Sequence, residues 1–155
     1  MQLQLAYGAA LMSARGYGAE ETVEAFDRAR ELSAGVGGSI DRLALLYGTW
    51  LGAVTTETFE AASKASAALL AEATQARNDG AIAVAHRTIG ATLLYGGLFD
   101  EAKRQCDQAM SLLGSTDDAD LARRFNGSPR AAAQILRAFA AWATSDSNLA
   151  ARDAQ

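Results

Sequence analysis

The sequence predicts an all-α chain built as a superhelix of antiparallel helix hairpins, and three observations carry that expectation. Alanine is the commonest residue and proline occurs once, at position 129, so long stretches can stay helical without interruption. Apolar residues recur at three- and four-residue spacing almost throughout, the period of one helix face. Small residues also return at matched places along the chain, the mark of stacked repeats.

The elements follow in order. A first helix is expected over Leu3–Ala14, ending at the glycines of Arg15-Gly16-Tyr17-Gly18. A second runs over Ala19–Ser33, with Glu20 and Glu21 in the first turn where carboxylates suit the helix dipole. After the break at Gly35-Val36-Gly37-Gly38, Ser39 is expected to cap a helix reaching Val54, and another covers Thr58–Arg77. Asn78-Asp79-Gly80 reads as a turn, and helices over Ala81–Tyr95 and Phe99–Leu113 flank Gly96-Gly97-Leu98. Residues 114–129 are expected to form a long inserted loop, functional or flexible, with at most a short helical turn over Leu121–Phe125. A helix from Arg130 to Thr144 and a last segment from Asn148 complete the chain.

Repetition is clearest between Gly90 and Ala109. Gly90, Gly97, Phe99, Ala102, Cys106 and Ala109 stand at spacings of 7, 2, 3, 4 and 3. Gly90 and Ala102 are expected where two helices of a hairpin cross, since a larger side chain there would hold them apart. Gly8, Tyr17, Phe26 and Ala29 give an earlier unit. Gly48, Ala61, Ala65 and Ala68 give another, with Glu57 at the turn, and Ala138, Ala150 and Ala154 give a truncated fourth. The pattern resembles the tetratricopeptide repeat, over residues 2–34, 39–77, 81–113 and 130–155 of one domain. The small residues at 8, 48, 90 and 138 lie 40, 42 and 48 apart, longer than the roughly 34-residue period of that family.

Further runs narrow the resemblance. They are Gly16-Tyr17-Gly18-Ala19-Glu20-Glu21-Thr22, Ala25-Phe26-Asp27-Arg28-Ala29-Arg30, Tyr47-Gly48-Thr49-Trp50, the stretch from Ala85 to Leu93, and Asn126-Gly127-Ser128-Pro129. In this order they resemble the C-terminal helical-repeat region of large bacterial signalling proteins. Those proteins join an adenylate/guanylate cyclase or a LuxR-type DNA-binding output domain to an ATPase module. The resemblance implies a fragment of a longer chain, with any nucleotide chemistry elsewhere in the parent protein.

Charge and motifs exclude several function classes. A net charge of −4 lacks the basic face that a nucleic-acid binder needs, and an acidic balance disfavours anionic membrane surfaces. No apolar run approaches a bilayer span, the N-terminus has no signal-peptide pattern, and a lone cysteine, Cys106, suits a reducing cytoplasm. His86 has no nearby ligand or acid–base partner in sequence, so it reads as a packing residue, as does Cys106. Asp117, Asp118 and Asp120 lack the glycine and terminal glutamate of a calcium loop, and no glycine cluster forms a phosphate loop. The expectation is therefore no catalytic residue, no metal and no cofactor.

A concave face lined by the first helix of each hairpin remains as the candidate site. The family register assigns to it Leu5, Ala9 and Met12, then Arg42, Leu45 and Thr49. Val84, Arg87, Ala91, Leu94 and Tyr95 follow, then Ile135, Phe139 and Trp142. Arg42, Arg87 and Tyr95 come foremost, and Arg123-Arg124 is a second contact candidate. Arginine with aromatic and aliphatic neighbours is the composition that carries interface energy. Three readings stay open: a module that docks a protein or peptide, including other domains of its own parent chain; a small-molecule effector sensor; and a homodimerisation element.

Overall fold

The structure is a computed structural model that describes residues 7, 8, 10, 11, 14, 15, 19–33, 39–56, 58–114, 118–125 and 127–153. Every regular element among these is helical: α1 (Glu20–Ser33), α2 (Ser39–Thr56), α3 (Phe59–Gln75), α4 (Asp79–Tyr95), α5 (Phe99–Leu113), α6 (Asp118–Arg124) and α7 (Pro129–Asp153). Helices adjacent in the chain pack on one another from α1 through α5, and α7 lies against both α5 and α6. Contacts also join α2 to α4 and α4 to α7, so these three stand side by side in one layer. That layer is where the candidate site forms.

Local chemistry sets the helix boundaries. The Thr58 and Asn78 side chains accept the Ala61 and Ala81 N–H at 3.3 and 2.9 Å, capping α3 and α4. The Asn78 cap lets α4 begin at Asp79, inside the stretch expected to be a turn. Ser128 caps α7 by accepting the Ala131 N–H at 3.0 Å, with Pro129 in the first helical position, where its missing N–H is harmless. Two helix ends close in the same way. After α3 the Asn78 N–H reaches the Ala73 carbonyl, and after α4 the Leu98 N–H reaches that of Leu93. Each closure needs one left-handed residue: Gly97 at φ 76° in one turn and Arg77 at φ 50° in the other.

The α4–α5 crossing is the tightest contact. A Cβ on Gly90 would stand 2.8 Å from Cys106 Sγ and 3.3 Å from the Ala102 carbonyl oxygen, while Ala102, Cys106 and Ala109 are fully buried. The small-residue spacing read here from sequence is thus the spacing of a real helix crossing. In α3 the buried face is Ala62, Ala65, Ser66, Leu69 and Ala73, and Ala68 is exposed. The register expected there, Ala61–Ala65–Ala68, slips by one residue at its ends because Leu69 takes the core position.

Two stretches of the C-terminal third differ from expectation. Residues 118–124 form a helix rather than a loop, and its Leu121, with Phe125 just beyond, is buried in the main core. The chain then continues as one helix from Pro129 to Asp153, without the break expected between Thr144 and Asn148. Ser145, Asp146 and Ser147 are weak helix formers, but no glycine or proline enforces a stop. Over the described residues 130–153 the fourth hairpin expected for 130–155 is therefore not formed. Ala138, read as the small residue of the fourth unit's first helix, is exposed, and Pro129, Ala133 and Ala140 form the buried side of α7 instead. Ala154 and the turn residues Tyr17, Gly35–Gly38 and Glu57 lie outside the described residues, as does Asn126.

Side-chain pairs tie the layers together. Arg42 on α2 pairs with Glu72 on α3 at 2.9 Å, and Arg137 on α7 with Asp107 on α5 at 2.6 Å. The His86 Nδ1–H donates to Gln105 Oε1 at 2.8 Å across α4 and α5, which makes His86 a half-buried cross-brace. Burial, reinforced by the Asp107 charge, pushes the Cys106 thiol up to about 11, so at neutral pH it stays protonated and unreactive.

Candidate functional site

The layer of α2, α4 and α7 forms a half-open cavity of about 310 Å³. Three helical faces build it. Tyr47, Trp50 and Val54 lie on one face of α2, with Leu51 beside them; Arg87, Ala91 and Tyr95 recur every fourth residue on α4; and Ala132, Ile135 and Leu136 come from α7. Tyr95 and Ile135, both more than half exposed, stand at the rim.

At its polar end is Arg87, only 8 % exposed. Its guanidinium Cζ lies 5.2 Å from the ring centroids of both Tyr47 and Trp50. Its Nε is buried with no hydrogen-bond partner, and among the described residues no carboxylate forms an ion pair with it. Among the described residues no Asp, Glu or Lys lines the cavity. Two cation–π contacts contribute roughly 0.5–2 kcal/mol each. The effective penalty for desolvating a buried ion is several kcal/mol, so the rings offset it only in part. Arg87 is an under-compensated cation facing an apolar hollow.

The surrounding groups hold the two rings in place. Trp50 Nε1–H donates to Thr92 Oγ1 at 2.9 Å, and the Thr92 hydroxyl donates onward to the Thr88 carbonyl at 2.9 Å. Tyr47 packs against Trp50 at 5.6 Å and receives Phe125 edge-on at 5.4 Å. Phe125, from the segment expected to be a loop, thereby backs the wall of the site.

The sequence-assigned groove is brought together only in part. Of Arg42, Leu45, Thr49, Arg87, Leu94, Tyr95 and Trp142, only Arg87 and Tyr95 line the cavity. Arg87 is buried rather than displayed, because the Tyr47 and Trp50 rings close over it. Arg42 is exposed but engaged by Glu72, and the Thr49 hydroxyl donates to the Leu45 carbonyl at 3.0 Å. Leu45 and Leu94 are half-buried, and Val84 is wholly in the core. Trp142 joins Ile135 and Phe139 in an adjoining, more open apolar hollow on α7. Leu5, Ala9 and Met12 lie outside the described residues. Arg123 and Arg124 both pair with Asp120, at 3.3 and 3.0 Å. Sequence reasoning missed Tyr47, Trp50 and Phe125 as site-forming residues; the spacing of Tyr47, Trp50 and Val54 along one helix face was the available signal.

Comparison with family models, with curated proteins and with solved structures found no match. The site must therefore be read from its own chemistry. Among the described residues no group of His, Cys, Asp or Glu is placed to hold a metal ion, and no helix is long and apolar enough to cross a membrane. The arrangement suits binding: a buried cation, two oriented aromatic faces and an apolar floor.

Proposed function

We propose that the chain is a tetratricopeptide-like α-α superhelix acting as a non-catalytic protein-interaction and regulatory module within a larger bacterial signalling protein. The hairpins α2–α3 and α4–α5, with their first helices aligned beside α7, support that architecture. One observation carries the functional reading. Tyr95, Ile135, Phe139 and Trp142 are 71, 56, 58 and 66 % exposed, and Ile135 belongs to both adjoining hollows, which makes the apolar surface continuous. Exposed patches of this composition mark docking surfaces on soluble proteins.

The test is site-directed photo-crosslinking in the cell of origin, with the probe at Tyr95, at Trp142 and, as a control, at the exposed Lys64 of α3. The first two positions are expected to capture the same protein, and Tyr95→Ala with Trp142→Ala to weaken the purified complex at least tenfold. Equal labelling from Lys64, or none from the groove, overturns the reading. If the captured protein is a second copy of this chain, homodimerisation takes its place.

A second reading, effector sensing, is favoured by the cavity between α2, α4 and α7. Its volume falls at the lower end of the roughly 300–1,000 Å³ range of small-molecule sites, and it holds the few convergent polar groups such sites use.

A further inference from the structure

We propose that the α2–α4–α7 cavity binds a small organic monoanion, a carboxylate on an aromatic or aliphatic body, whose charge pairs with Arg87. The inference rests on the effector reading above and specifies the ligand's chemistry.

Four observations lead to it. Arg87 is nine-tenths buried, lines the cavity, and has an Nε without a partner. Among the described residues no carboxylate neutralises it, although Arg42, Arg104, Arg123, Arg124 and Arg137 all have acidic partners. A guanidinium held in this way offers a planar fork of donors matched to a carboxylate, and the low dielectric around it strengthens the pairing. The remainder of the lining is mainly apolar, with Leu51, Val54, Ala91 and Leu136 forming the floor.

The charge count argues for a single negative charge. Among the described residues one cation lines the cavity, and the whole chain carries −4, so a phosphate ester or polyanion would bring more charge than the site balances. A cavity of about 310 Å³ equals roughly ten waters, which admits a body the size of an indole or a short acyl chain. The exposed Tyr95 and Ile135 leave an entrance, so binding needs no opening of the core.

The experiment titrates the 155-residue chain with phenylacetate and octanoate, each against its neutral amide, and with inorganic phosphate. Thermal shift gives one readout. Quenching of Trp50 in a Trp142→Phe background gives a second, because Trp50 is then the sole indole and lines the cavity. At least one carboxylate is expected to raise the melting temperature and to bind at least tenfold more tightly than its amide. Arg87→Met should abolish that preference. Should Arg87→Met not fold, Ile135→Glu places a negative charge at an exposed rim position and should weaken the carboxylate but not the amide. Equal binding of acid and amide, or phosphate binding as tightly as the carboxylates, overturns the monoanion proposal while the effector reading stands. No shift with any probe removes both.

Discussion

At the residue scale, Gly90 and Arg87 show opposite uses of tight packing. Gly90 is required because its missing side chain lets α5 approach; a methyl there meets Cys106 Sγ at 2.8 Å. Gly→Ala inside a helix normally stabilises by about 1 kcal/mol. Here overpacking costs about 1–3 kcal/mol, so Gly90→Ala is expected to destabilise the chain. Gly90→Ala/Cys106→Ala should recover most of that loss, and denaturant melts of these two variants and of Cys106→Ala alone would check it. Non-additivity is the decisive readout, since distant sites simply add. Arg87 instead keeps a charge where packing alone would favour a hydrophobe. Its burial could not be read from spacing, because a helical pattern places an arginine on a face without saying whether two rings will close over it.

At the element scale, the turns after α3 and α4 share one geometry with different residues. Gly97 adopts the left-handed conformation without penalty, whereas Arg77 holds the same region at a cost of about 1–2 kcal/mol. Arg77→Gly should therefore stabilise the chain, less the roughly 0.4–1 kcal/mol of added freedom that glycine brings to the unfolded state. A net gain of about 0.5–1 kcal/mol corresponds to a rise of about 1–4 °C in the melting temperature of a chain this long. Gly97→Ala should move it the other way. If Arg77→Gly lowers the melting temperature, the strain assigned to that turn is wrong. The helix boundaries here were legible in sequence to within two residues, at the glycine turn around Gly97 and near Thr58 and Asn78, although Asn78 was read as part of a turn and caps α4 instead. Helix α7 was mis-divided because weak helix formers over 145–148 read as a boundary although nothing in them blocks the helical backbone.

At the scale of the whole molecule, the segment after α5 is the test of what the fold is. As a surface loop, 114–129 would tolerate substitution within about 0.5 kcal/mol. Instead Leu121 and Phe125 belong to the main core, and Phe125 meets Tyr47 edge-on across from α2. Phe125→Ala is expected to cost about 3–5 kcal/mol and to loosen the wall that holds Arg87. Urea denaturation reports the first effect, and loss of the near-ultraviolet circular dichroism of Tyr47 and Trp50 reports the second. A change below 1 kcal/mol would return the segment to the status of a loop.

The all-helical class, the helices from α2 to α5 within a few residues, and the Gly90–Ala102 crossing follow from local chemistry: propensity, caps and the volume allowed between two helices. These depend on neighbours in the chain or on steric bulk, and both are written in the order of residues. The cavity, the isolation of Arg87 and the packing of Phe125 against Tyr47 were settled only in three dimensions. Each depends on which faces of α2, α4 and α7 meet, and burial of a charge is a property of that meeting rather than of any one helix.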